Sequence, residues 1–175
     1  MTLPESLVDN GKADRNFRDL DTRLTTQERA LGTAWGPSLL TIPAATAATA
    51  DRVYYSQIRL TVAATLTGVQ WFNVTSAGNV AVALYDSGGV RMANVATPVA
   101  VGGALALQQL PFDAAVTAGP GTYFAAVVFS ATPQQYHALL SVPSSYAAGG
   151  AGAAGLASIT PPTTPAQLVP LISTY

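Results

Sequence analysis

Between Asp51 and Val142 the apolar residues recur with a period of two, in short runs separated by turn signals, which is the pattern of β-strands and not of helices. In Tyr54–Val62, Tyr54, Ile58, Leu60 and Val62 share one face and Tyr55, Gln57, Arg59 and Thr61 the other, predicting a half-exposed strand. Val69–Val74 gives a second, with Trp71 and Phe72 on opposite faces. In a third, Val80, Val82 and Leu84 alternate with Ala81, Ala83 and Tyr85; Asp86-Ser87-Gly88-Gly89 then reads as a hairpin turn into Val90–Ala96. Leu105–Leu110 alternates in the same way. Gly119-Pro120-Gly121 turns the chain into Thr122–Ser130, and Tyr136–Val142 closes the series. Seven or eight strands with turns at roughly eight- to twelve-residue intervals predict an antiparallel β-sandwich or jelly-roll-like body.

A different period governs the start of the chain. From Asn10 to Leu31 the spacing fits heptads, with Asn10, Phe17, Leu24 and Leu31 at a and Ala13, Leu20 and Gln27 at d. Arg23 at g and Glu28 at the following e are the pair that can bridge neighbouring helices of a parallel coiled coil. The polar Asn10 and Gln27 would set register on that seam. Three heptads are marginal alone, so the expectation is a short N-terminal α-helix that registers a homotrimer, or a dimer, held mainly by the body. The alternative is one amphipathic helix packing on its own domain. Gly32, Gly36, Pro37 and Pro43 stop the helix, with Trp35 as an anchor at the junction. Ala147–Ala157 is a Gly/Ala tract and Ile159–Pro170 is rich in Pro and Thr, too poor in large side chains to form a core of its own. The expected division is a helix over 1–31, a linker over 32–50, the β-sandwich domain over 51–146 and an extended C-terminal segment over 147–175.

Charge sharpens this division. Of the 17 charged residues among 175, 11 lie in the first 29 positions, and the rest of the chain carries only Asp51, Arg52, Arg59, Asp86, Arg91 and Asp113. A charged fraction of 10% is far below the roughly 25% of an average soluble protein. The net charge of −1 gives no electrostatic footprint for nucleic acid or an anionic membrane. There is no cysteine, which removes thiolate metal sites, disulfides and thiol nucleophiles. His137 is the single histidine, so multi-histidine metal sites fall as well, and no cofactor is expected. The start of the chain lacks the apolar stretch of a signal peptide, and the uncharged run from Ala114 is broken by Gly119, Pro120, Gly121 and Pro133.

Candidate chemistry is correspondingly thin. A catalytic triad would have to be built on His137, which sits in alternating sequence and reads as a strand residue. Asp86 and Asp113 read as turn formers, and three scattered acids are a poor basis for paired-carboxylate hydrolysis. No catalytic residue is assigned, and the chain is read as non-enzymatic. Aromatic rings on a sheet can stack on sugars; Tyr54, Tyr55 and Tyr85 are the conceivable glycan contacts, whereas core packing explains Trp71.

Val80-Ala-Val-Ala-Leu-Tyr-Asp-Ser-Gly-Gly-Val-Arg91, then Leu110-Pro-Phe-Asp113 and Ala118-Gly-Pro-Gly-Thr-Tyr-Phe-Ala-Ala126, resembles the β-sandwich modules of tailed-bacteriophage virion proteins, above all tail fibre and minor tail proteins of phages of actinobacteria. Pro4-Glu-Ser-Leu7 and Arg15–Leu24 resemble the attachment segments that open such proteins. The resemblance implies a virion structural protein assembled in the host cytoplasm. Its partners would be its own copies, other capsid or tail proteins, and a host cell-surface glycan. The chain is short and has no shaft repeat, so capsid decoration, or a head fibre, stands as the alternative, with a free carbohydrate-binding module behind it.

Overall fold

A computed structural model describes residues 44–95, 97–138, 140, 142–148, 157–164 and 168–175. The coiled-coil seam of Asn10, Ala13, Phe17, Leu20, Leu24, Gln27 and Leu31, and Trp35 with it, lies outside the described residues. Among those described the chain is mainly β, with no helix. Its strands are β1 (Ala44–Ala47), β2 (Arg52–Leu60), β3 (Ala64–Asn73), β4 (Asn79–Tyr85), β5 (Arg91–Asn94), β6 (Val99–Ala100), β7 (Ala106–Ala118), β8 (Gly121–Phe129), β9 (Gln134–Ala138), β10 (Ser144–Ala148), β11 (Val169–Pro170) and β12 (Ile172–Thr174).

They form two six-stranded antiparallel sheets. In the first, β9 pairs with β1 and β11, and β3 pairs with β7, β12 and, at one residue, β9. The second runs β10-β2-β8-β4-β5, with β6 also on β4. The chain crosses repeatedly between the sheets, β1 to β2 and β9 to β10 among these passages. The first passage is a tight turn, in which Arg52 N–H donates to the Thr49 carbonyl at 3.3 Å and Asp51 takes φ 58°, a left-handed conformation that Asp tolerates better than most residues.

One apolar core draws on both sheets. Val69, Trp71, Leu110, Phe112, Ala138, Val169 and Ile172 of the first meet Tyr54, Leu60, Val80, Val82, Leu84, Ala125, Val127 and Phe129 of the second. Trp71 stands edge-on to Phe129 at 6.3 Å between ring centroids, the geometry its quadrupole favours. Its indole N–H donates to Asn73 Oδ1 at 2.6 Å, and Asn73 Nδ2 donates to Gln108 Oε1 at 2.7 Å. Gln108 in turn accepts from Gly102 N–H and donates to the Ala100 carbonyl. The one polar atom of the largest core side chain is thereby satisfied, and the β6–β7 connection is tied over it.

The second sheet is covered on both faces. Val53, Tyr55, Ala81, Ala83, Tyr85, Phe124, Ala126 and Val128 form a separate buried cluster on its far side, with Ile159 packed against them. Residues 157–164 run along that face: Ile159 N–H donates to the Gly89 carbonyl, Arg91 N–H to the Ala157 carbonyl, and Val90 bridges Ser158. Burial on both faces explains why β4 and β8 are apolar at nearly every position instead of alternating with polar residues. It also corrects the half-exposed reading of the Tyr54 strand, since Tyr54 and Tyr55 are both buried on opposite faces.

Three further expectations are revised. Ala44–Ala47, assigned to the linker, is a strand of the first sheet, paired residue for residue with Gln134–His137. The assigned C-terminal appendage supplies strands as well: β10 ends at Ala148, and β11 pairs with β9 before β12 pairs with β3, so residues 169–174 stitch two strands together. Asp113 is no turn former but lies in β7. There the register with β3 jumps from Leu66 opposite Val116 to Gly68 opposite Pro111, a bulge beside a proline that β7, paired among the described strands with β3 alone, accommodates as an edge strand does.

Candidate functional site

Two of the passages between the sheets, β1 to β2 and β9 to β10, border a cleft of about 290 Å³, lined by Thr46, Ala47 and Thr49 of the β1 end, Arg52 and Tyr54 of β2, His137 of β9, Tyr146 of β10, and Leu168. Its floor is aromatic. Tyr54 stands edge-on to His137 at 5.4 Å and to Tyr146 at 6.0 Å. The register of β10 on β2 places Tyr146 directly opposite Tyr54, and the close turn before β2 brings the Thr49 N–H to the Tyr54 hydroxyl, which accepts at 2.8 Å. Tyr54 is therefore locked at both ends.

Arg52 is the cation of the cleft. Its guanidinium carbon lies 4.0 Å from the centroid of the Tyr146 ring, a cation–π contact that occupies the guanidinium face and leaves the N–H donors at its edge. No carboxylate is among the lining residues. His137 sits deeper, with 4% of its surface exposed. Desolvation lowers its pKa to about 4, although a hydrogen bond to the Leu168 backbone acts in the opposite direction. The imidazole is thus neutral near pH 7. With one ring N–H directed to the Leu168 carbonyl, Nε2 is left as a buried acceptor with no partner. One cation, one unpaired acceptor, two threonine side chains and aromatic walls can bind a small polar ligand. Among the described residues no group of His, Asp and Glu could hold a metal ion.

Of the rings named from sequence, only Tyr54 belongs to the cleft. Tyr55 and Tyr85 lie in the far cluster of the second sheet, and Tyr54, Tyr55 and Tyr85 are exposed by 2%, 4% and 0%. Rings so covered present no free face to a sugar, which corrects their assignment as stacking platforms. His137 is a strand residue, as its alternating context predicts, and faces the core. Arg52 and Tyr146 were not legible as partners because 94 residues separate them. The available signal was that Arg52 is one of only three cations beyond residue 29 and immediately precedes the Val53-Tyr54-Tyr55 run.

Compared with protein-family models, curated proteins and solved structures, the chain matches none.

Proposed function

We propose that the chain is a non-enzymatic bacteriophage virion structural protein. Its two sheets close face to face as a sandwich. Its N-terminal heptads register a homotrimer, and its body projects from a tail fibre or minor tail position to bind the host surface. The observation that carries the non-enzymatic part is the state of His137, the one candidate base in the chain. It is packed edge-on to Tyr54, neutral, and tied to the Leu168 carbonyl, as suits a packing and binding residue.

Support for the virion part comes from the segments that resemble virion modules. They coincide with β4 and its turn, the β7 bulge and the turn that carries the chain from β7 of the first sheet into β8 of the second, which are parts of the fold that bury Val80, Val82, Leu84, Phe112 and Ala125. A sandwich is supported by the single core shared between the sheets and by the edge-on contact of Trp71 with Phe129.

Immunogold labelling of particles with antibody against this chain tests the reading. Label at the tail, with adsorption blocked by the antibody, is the expected result. Label over the head, with particles that lack the chain adsorbing normally but breaking under heat, would make it a decoration protein. Its absence from purified particles would overturn the virion reading altogether.

A further inference from the structure

The cleft between the passages β1–β2 and β9–β10 has a donor set that selects one kind of ligand. Arg52, held over Tyr146, offers N–H donors at the guanidinium edge, the geometry that takes a carboxylate in two parallel hydrogen bonds. His137 Nε2 is a buried acceptor with no partner and can be satisfied only by a donor, such as a hydroxyl. A ligand that satisfies both must carry an anionic oxygen pair and a hydroxyl a few ångströms apart. The wall between them is the partly exposed ring of Tyr146, against which the C–H face of a sugar packs, backed by the buried rings of Tyr54 and His137, and Thr46 and Thr49 lie at the exposed rim. A volume of about 290 Å³ admits one ring, not a chain of them.

We propose that this cleft binds a single carboxylated sugar residue, a uronate, with its carboxylate on Arg52 and a ring hydroxyl donating to His137 Nε2. The inference rests on the host-surface reading only for where such a residue would be met, in an acidic surface polysaccharide; the binding belongs to the purified chain. A free carboxylate without hydroxyls leaves His137 unsatisfied, and a neutral hexose leaves Arg52 unpaired. Neither should compete.

Titration calorimetry on the full chain with glucuronate, glucose, acetate and inorganic phosphate tests this. Glucuronate should bind about tenfold or more tighter than any of the other three, a factor that one charge-assisted pair supplies. Arg52→Gln should abolish that margin, and His137→Phe, which keeps a ring against Tyr54, should weaken glucuronate while leaving acetate unchanged. Where a variant fails to fold, the methyl ester of glucuronate decides on the unaltered chain, since it must bind no better than glucose. Equal binding of the ester and the acid, or of phosphate and glucuronate, overturns the proposal. No binding by a chain found on virions sinks the cleft assignment alone; binding by a chain absent from virions sinks the virion reading alone.

Discussion

Tyr175 fills the space that a side chain at position 68 would need. A Cβ built on Gly68 would come within 2.6 Å of the Tyr175 hydroxyl and would meet the Leu110 carbonyl of β7 as well. The tyrosine is held there by the backbone: Thr67 N–H and Thr67 Oγ1 both donate to the Tyr175 carbonyl, at 2.7 and 2.9 Å, and Tyr175 N–H donates to the Gly68 carbonyl. Gly68 also sits at the register jump between β3 and β7. One missing side chain therefore serves two neighbours, the β7 bulge and the residue that follows β12.

Gly68→Ala should consequently cost roughly 2–4 kcal/mol, because one of the obstructing atoms is backbone and cannot rotate away. Urea unfolding followed by tryptophan fluorescence reads the change. Adding Tyr175→Ala should not restore the loss, since the Leu110 carbonyl stays in place. Full recovery in the double variant would show that the tyrosine alone is the obstacle.

The contrast between these two residues marks what the sequence makes legible. Strands with a clear two-residue period, such as Val80–Tyr85 and Thr122–Ser130, were placed within a residue or so, and Asp86–Gly89 forms the turn its residues predict. Asp86 Oδ1 accepts from the N–H groups of Gly88 and Val90, both at 2.9 Å, and Gly89 adopts φ 81°. Ala44–Ala47 escaped because its four residues are small and exposed, so no buried apolar side chain marks the strand, which joins the sheet by backbone pairing to β9. Val169–Thr174 escaped for a different reason. Pro170 and the surrounding Pro/Thr-rich stretch signal extended chain, while nothing local says that Val169, Ile172 and Thr174 will be buried by partners about 100 and about 30 residues earlier. The cleft likewise depends on pairings across the whole chain, and period alone cannot reveal which strands pair.

At Gly89 the fold tolerates no side chain for two reasons. Its φ of 81° is left-handed, and a Cβ would meet the Ile159 carbonyl and approach Pro161 Cδ to 3.0 Å. Gly89→Ala should therefore strain the turn, by about 1–3 kcal/mol, and lift residues 157–164 off the second sheet. Hydrogen exchange should accelerate at the Ile159 amide, which donates to the Gly89 carbonyl. Asp86→Ala removes two acceptor contacts without adding bulk, so it should cost only about 1–2 kcal/mol and leave the Ile159 amide protected. Equal loss of protection in both variants would mean that the turn, and not the collision, docks the segment.

Assembly should depend on the heptad seam. Replacing Leu20 and Leu24 together by Ser removes two apolar seam residues, each worth about 1.5–3 kcal/mol of burial per chain in the proposed coil. Light scattering should then report a fall from near three times 17.9 kDa toward a single chain, with the β circular dichroism signal kept. A concentration-independent single-chain mass for the unaltered protein would remove the trimer from the proposal.

His137 should make the folded state sensitive to mild acid. Its pKa is about 4 in the folded chain, because burial among Tyr54, Tyr146 and Leu168 desolvates the ring, against 6.5 when unfolded. Between those two values the unfolded chain holds a proton that the folded chain refuses. Stability is then complete above pH 6.5, declines as the pH falls toward 4, and loses no more to this group below that. A gap of this size corresponds to about 3 kcal/mol across the window. Urea midpoints measured at pH 7, 6, 5 and 4.5 should therefore fall steadily in the unaltered chain. In His137→Phe, which preserves a ring against Tyr54, they should stay nearly level from pH 7 to 5. A slope that persists in that variant would place the proton uptake on another group and would leave His137 without a role in acid sensitivity.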